Sequence, residues 1–228
     1  LIYEASNTEG KSVLHTVEVP VGGECDMVLT DGTKVWLNSA TKLRYPTRFT
    51  GKNREVYVEG EAFFSVCKDS FHPFIVHTEG GHVRVLGTEF NLSAYPGERT
   101  ITTLAEGKVE VNDKISKVYL KPGEQAICAK GVRFIEVKNV DVSLFTSWVK
   151  GVFEFENMSL LAISRQLLRW YGVSFQFEDE SCAERCFTGG IKKYVPLNQS
   201  LDILEKTTNV VFKVSGRQVF VKSLKNEI

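Results

Sequence analysis

Asp31-Gly32-Thr33-Lys34-Val35-Trp36-Leu37-Asn38 leads to Val58-Glu59-Gly60-Glu61-Ala62-Phe63-Phe64, and then to Val85-Leu86-Gly87-Thr88-Glu89-Phe90-Asn91. In each block a short apolar alternation is cut by a glycine, which reads as short strands joined by tight turns. The same period of two runs from about residue 13 to 137, for example in His82-Val83-Arg84-Val85 and Lys108-Val109-Glu110-Val111-Asn112. Turn signals at Asp31-Gly32, Gly80-Gly81, Pro96-Gly97, Glu106-Gly107 and Pro122-Gly123 fall at the spacing of an all-β sandwich or roll. With no helical crossover in this region, all-antiparallel pairing is expected.

The period changes after Trp148. Leu160, Ile163, Ser164, Leu167, Leu168 and Tyr171 recur at three and four, with Ser159 placed to cap a helix and Gly172 to end it. A second helical pattern, Leu197, Leu201 and Leu204, follows Pro196, and a Ser215-Gly216 turn joins two final strands. The two helical stretches match at one offset: Leu160 with Leu197, Leu167 with Leu204, Val173 with Val210, Phe175 with Phe212 and Phe177 with Val214. The expected fold is therefore an all-β sandwich or roll of antiparallel strands over residues 1–147. A small α+β domain of duplicated strand-helix-strand units, packed on a small shared sheet, follows over residues 148–228.

Composition narrows the function. Twenty-eight basic residues balance twenty-eight acidic ones in 228 residues, so no net field draws nucleic acid to the chain. No apolar run is long enough to cross a bilayer, and Leu1-Ile2-Tyr3-Glu4-Ala5-Ser6 has no signal-peptide pattern, so the chain reads as an excised soluble piece. Cys25, Cys67 and Cys128 read as small apolar core residues, and Cys182 and Cys186 as a local disulfide ahead of a metal site. His72, His77 and His82 read as surface or loop residues, because Gly80-Gly81 separates the third from the others. No nucleophile elbow, zinc-protease motif or phosphate loop is present. The aromatics Trp36, Tyr45, Tyr57, Phe63 and Phe64 leave a carbohydrate-binding sandwich as an alternative.

The ordered set of blocks resembles the FecR family of transmembrane anti-sigma factors. Besides the opening blocks it comprises Tyr45-Pro46, Arg54-Glu55-Val56, Pro73-Phe74-Ile75-Val76, Glu106-Gly107-Lys108-Val109 and Leu120-Lys121-Pro122-Gly123-Glu124-Gln125. Trp148, Gly151, Phe155-Glu156-Asn157, Leu160, Ile163, Leu167 and Arg169-Trp170-Tyr171 look like the domain that follows FecR in Bacteroidetes members, itself similar to the short N-terminal domain of secretins and TonB-dependent receptors. Cys67, Ala162 and the Cys182, Cys186 pair depart from the family pattern.

The resemblance implies the periplasmic part of an inner-membrane single-pass protein, with no cofactor, metal or catalytic centre. The periplasmic signalling domain of a TonB-dependent transporter would be one partner. An extracytoplasmic-function sigma factor would be the other, bound through a cytoplasmic segment preceding Leu1. The implied docking residues are Trp170 and Tyr171 together with Phe187, Thr188, Gly189, Gly190 and Ile191. The competing reading of Trp170 and Tyr171 is that they close the helix onto its sheet. Some family members also resemble self-cleaving proteins that cut a Gly-Thr bond, which places a candidate scissile bond at Gly87-Thr88; the competing reading is a tight turn entering a strand.

Overall fold

A computed structural model describes residues 12–129, 131–207 and 210–224, and the chain divides into two compact units between Val142 and Ser143. Among the described residues the first unit holds thirteen strands. They are β1 (Leu14–Val19), β2 (Cys25–Val28), β3 (Lys34–Leu37), β4 (Thr41–Pro46), β5 (Arg54–Ser65), β6 (Phe74–Thr78), β7 (Gly81–Val85), β8 (Glu89–Ala94), β9 (Thr100–Glu106), β10 (Val109–Asn112), β11 (Lys117–Leu120), β12 (Glu124–Cys128) and β13 (Glu136–Asn139).

One strand organises the rest. The first half of β5 lies between β4 and β6, in a layer ordered β1-β4-β5-β6-β7-β10-β11; its second half lies between β3 and β8, in a layer ordered β2-β3-β5-β8-β9-β12-β13. Alternation carries through both halves: Val56, Val58, Ala62 and Phe64 are buried while Tyr57, Glu59 and Phe63 look outward. Gly60 sits where the strand passes from one layer to the other, at φ 117°. Between the layers Phe64 stacks on Phe90 with ring centroids 5.2 Å apart and meets Phe74 at 5.9 Å.

Among the described strands of the first unit pairing is antiparallel with one exception, which corrects the sequence expectation: β5 and β6 run parallel, with Arg54 beside Phe74 and Tyr57 beside His77. No helix is needed, because β5 folds over and its far end returns opposite its start. Arg54 Nη1 donates to the Cys67 carbonyl at 3.0 Å, just beyond the end of β5. Residues 66–73 therefore need only cross between layers roughly 10 Å apart.

The second unit contains β14 (Val152–Ser159), α2 (Leu160–Tyr171), β15 (Ser174–Phe177), α3 (Glu180–Ala183), β16 (Cys186–Lys192), α4 (Leu197–Lys206), β17 (Val210–Ser215) and β18 (Gln218–Ser223), preceded by the single turn α1 (Ser143–Thr146) and a 3₁₀ turn (Ser147–Lys150). The α2 signals act as read: Ser159 Oγ accepts the Ala162 amide at 3.3 Å, and Gly172 ends the helix at φ 68°. The buried face is Leu160, Ile163, Ser164, Leu167 and Trp170; Leu168, placed on it by spacing, is 43% exposed.

The duplicated units are present as β14-α2-β15 and β16-α4-β17, and the offset pair Phe175 and Phe212 touch edge to face at 6.4 Å. They do not share one sheet, which corrects the shared sheet expected from sequence. β14 and β16 form a two-stranded ribbon, and β15 and β17 flank β18 in a separate three-stranded sheet, parallel and antiparallel to it. The added strand β18 stands between the equivalent strands and keeps them apart.

Candidate functional site

The sequence blocks converge in space as two polar networks rather than as a catalytic centre. In the first, Asp31 Oδ2 accepts from Arg54 Nη1 at 2.6 Å and from Thr33 Oγ1 at 2.7 Å, while Asp31 Oδ1 accepts the Thr33 amide. Thr33 Oγ1 accepts the Cys67 amide, and Arg54 Nε donates to the His72 carbonyl at 2.8 Å. The Asp31-Gly32-Thr33 turn, the start of β5 and the 66–73 crossing are thus tied at one guanidinium that is only 4% exposed.

In the second network Glu61 accepts from Asn38 Nδ2 at 2.8 Å through one oxygen and from Asn91 Nδ2 at 2.9 Å through the other. Its backbone amide donates to Thr41 Oγ1. A buried carboxylate is tolerated where its oxygens are met by oriented donors. Each of the three opening blocks contributes one member to this second network, so it ties the blocks together. The 23 and 30 residues separating Asn38 and Asn91 from Glu61 hid the contact from sequence.

In the second unit the anticipated docking residues separate into two groups. Trp170 is buried at 7% exposure, edge-on to Phe153 at 5.1 Å, with Lys193 Nζ over its ring at 5.4 Å and over Trp148 at 5.6 Å. The Tyr171 hydroxyl donates to the Val195 carbonyl at 2.8 Å and meets Ser200 Oγ at 2.9 Å, tying the end of α2 to the start of α4. Phe187 and Ile191 face the core, whereas Thr188, Gly189 and Gly190 between them are exposed on β16. That strand pairs on one side with β14, Gly190 opposite Glu154 and Gly189 opposite Phe155.

At Gly87-Thr88 the chain bends before β8. Gly87 has φ 146°, and a side chain there would strike the Lys68 backbone. Thr88 is 4% exposed and its Oγ1 donates to the Lys108 carbonyl at 3.1 Å, an acceptor too weakly basic to take the proton.

The histidines correct the sequence reading. The Gly80-Gly81 turn closes the β6–β7 hairpin and sets His82 directly opposite His77, ring centroids 6.0 Å apart. His77 Nε2 lies 3.0 Å from Glu55 Oε2, and its ring stacks on Tyr57, over which Arg44 also lies. Tyr57 is thereby held between a guanidinium and an imidazole, and Trp36 tilts against Phe63. Among the described residues no group of three or more His, Cys, Asp or Glu side chains converges to hold a metal.

Burial, and then the neighbouring His77, push the His82 imidazole below its ordinary value of 6.5; Arg84 acts in the same direction, with Glu110 and Glu55 opposing. Native His82 therefore binds its proton less tightly than the unfolded chain does. Its contribution to stability is present above the unfolded value and is lost as pH falls through the native one. An NMR titration is expected to give a His82 midpoint below 6.5 that rises in His77→Gln; a midpoint at or above the ordinary value would refute the assignment.

The cysteines also differ from expectation. All five are free thiols. Cys182 is buried in α3, and Cys186 is exposed with its thiol toward the Glu184 carbonyl, so they are not bonded. Cys67, expected in the core, is exposed in the 66–73 crossing, while Cys128 is buried and its thiol is pushed up to about 11 by that burial.

Two family models match the chain, FecR protein over residues 15–110 and FecR, C-terminal over residues 152–221. Two crystal structures of a protein of Parabacteroides distasonis ATCC 8503, described as a candidate anti-sigma factor, are similar throughout. Each is 31% identical with a TM-score of 0.85, and the match covers 92% of this chain and 99% of that one. No curated protein matches. Among the described residues no helix is long and apolar enough to cross a membrane. The family is regulatory rather than enzymatic, and its two characteristic segments lie one in each compact unit. The chain belongs to the FecR family of anti-sigma factors.

Proposed function

We propose that this chain is the periplasmic sensor part of a single-pass anti-sigma factor. It receives a signal from the periplasmic domain of a TonB-dependent outer-membrane transporter and controls an extracytoplasmic-function sigma factor through a cytoplasmic segment preceding Leu1. The observation that carries the reading is the β14–β16 ribbon. It is two strands wide, and on β16 the exposed Thr188, Gly189 and Gly190 put no bulky side chain in the way of an incoming strand. Such an edge can accept a partner strand through main-chain hydrogen bonds. Trp170 and Tyr171 support this surface from within and are assigned to packing.

Isothermal titration of the full chain with the transporter's signalling domain tests the docking face through Gly190→Lys. A side chain at Gly190 meets only ordinary contacts, the nearest at 3.8 Å, so the ribbon should survive the change. A charged, bulky lysine on the docking strand is expected to weaken binding at least about tenfold, which corresponds to about 1.4 kcal/mol. Unchanged affinity in a folded variant removes β16 from the interface, and no binding by the unmodified chain removes the transporter as partner.

A further inference from the structure

Among the described residues β13 is the last strand of its layer, and all four of its residues, Glu136-Val137-Lys138-Asn139, are exposed. The Val140 amide donates to the Gly123 carbonyl at 2.9 Å, and the same register continues with Asn139 beside Glu124, Lys138 beside Gln125 and Val137 beside Ala126. Main-chain bonding alternates along an antiparallel pair. Glu136 and Lys138 therefore direct their backbone groups to β12, while Val137 and Asn139 turn N–H and C=O toward the open side. Side chains alternate as well. Ala126 and Ile135 belong to the core, which places Val137 on the core side of the layer, at its rim, where it is 41% exposed. Glu136 and Lys138 share the outer face.

Charge distinguishes this edge from the other three of the unit. β1 carries one fixed charge, Glu18, β2 carries Asp26 and β11 carries Lys117. β13 carries two of opposite sign, placed symmetrically about Val137. When such a strand pairs antiparallel with its own copy about an axis through Val137, Glu136 of each copy stands directly opposite Lys138 of the other. The outward main-chain groups match in the same register, because Val137 meets Val137 and Asn139 meets Ile135. One residue further, Phe134, which is 65% exposed, is set against the half-buried Val140.

We propose that β13 is the contact for a second copy of this chain. The two β13 strands pair antiparallel across a two-fold axis at Val137 and join two layers into one continuous sheet. Charge complementarity selects the occupant. An arbitrary strand leaves Glu136 and Lys138 beside unmatched neighbours, which guards the edge, whereas the chain's own copy meets both with the opposite sign. The inference stands on this edge alone and is independent of the docking role of β16.

Sedimentation equilibrium of the full chain tests it. The unmodified chain is expected to pass from monomer to dimer as its concentration rises. Glu136→Lys and Lys138→Glu each set two like-charged pairs across the axis, so each should weaken the dimer by about tenfold or more. An equimolar mixture of the two variants should regain it as a heterodimer, because one copy then presents two lysines and the other two glutamates. Val137→Pro removes the amide on the axis and none of those bonded to β12, so this variant should fold and stay monomeric. The proposal is overturned if the unmodified chain is monomeric up to about 1 mM, which would leave the edge to a different protein. It is equally overturned if any of the three variants dimerises as the unmodified chain does, or if the mixture of charge variants stays monomeric.

Discussion

Arg54→Met is expected to destabilise the first unit by about 3–5 kcal/mol, the loss that follows when one partner of a buried ion pair is removed and the other is left without its counter-charge. Arg54 is 4% exposed, and Asp31 opposite it is 12% exposed at the side chain. The substitution also removes the donors to the Cys67 and His72 carbonyls, so the 66–73 crossing loses its anchor. Lys42→Met is the natural control. Its bridge to Glu18 spans 3.5 Å between side chains 43% and 72% exposed, where about 0–1 kcal/mol is at stake. Urea unfolding followed by hydrogen exchange of the β5 amides compares the two. Equal losses would show that the buried network carries no more than an ordinary surface pair.

Gly60→Ala is expected to cost about as much as the loss of Arg54, by a different route. At φ 117° an alanine is strained by about 1–3 kcal/mol wherever it sits. Here its methyl would also stand 2.6 Å from Thr41 Cα and 2.4 Å from Thr41 Oγ1. The backbone of β4 must give way at the point where β5 changes layer, and the Glu61 amide bond to Thr41 is lost with it. We expect a total of about 4 kcal/mol or more, with early exchange of the amides on both sides of the corner. Gly97→Ala separates the causes, because Gly97 has φ 76° with nothing within 4 Å of an added methyl. If both variants lose the same stability, backbone strain alone explains the effect and the close approach of β4 is irrelevant.

How far the sequence could be read follows from what leaves a periodic trace. Burial on one face writes alternation directly, so the strand-rich character of β5, β7 and β10 was visible. The cap and stop of α2 were equally visible, since Ser159 and Gly172 act on their own neighbours. The fold-over at Gly60 was not: a glycine in a strand announces an unusual backbone without saying that Thr41 lies against it. Hence the parallel β5–β6 pair was unforeseen. Gly80-Gly81 likewise looks like a break between His77 and His82 in sequence, yet it is the turn of a hairpin that sets them opposite each other. On α2, helical spacing alone accommodates Leu168 and Trp170 on adjoining faces, and only the position of Phe153 decides between them. Strand spacing alone does not say which of Phe187, Thr188, Gly189, Gly190 and Ile191 point outward, because that depends on the side from which the helices cover the ribbon.

The ribbon register reveals a symmetry within the second unit. Helices α2 and α4 begin at Leu160 and Leu197. If the same offset is applied to the pair Val152 and Lys192, it returns Gly189 and Phe155, which are themselves partners; Phe153 and Ile191 likewise map onto Gly190 and Glu154. The two repeats are therefore related by a pseudo-dyad that passes through the ribbon and between Phe175 and Phe212, as in an isologous dimer fused into one chain. A true dyad would present two identical edges to any partner. Here it is broken by a bulge between Phe155 and Met158, where Asn157 turns to φ 46° and its amide donates to the Thr188 hydroxyl. One edge of the pseudo-symmetric ribbon is thus blunted by the bulge while the other stays straight, so the two halves present unequal edges.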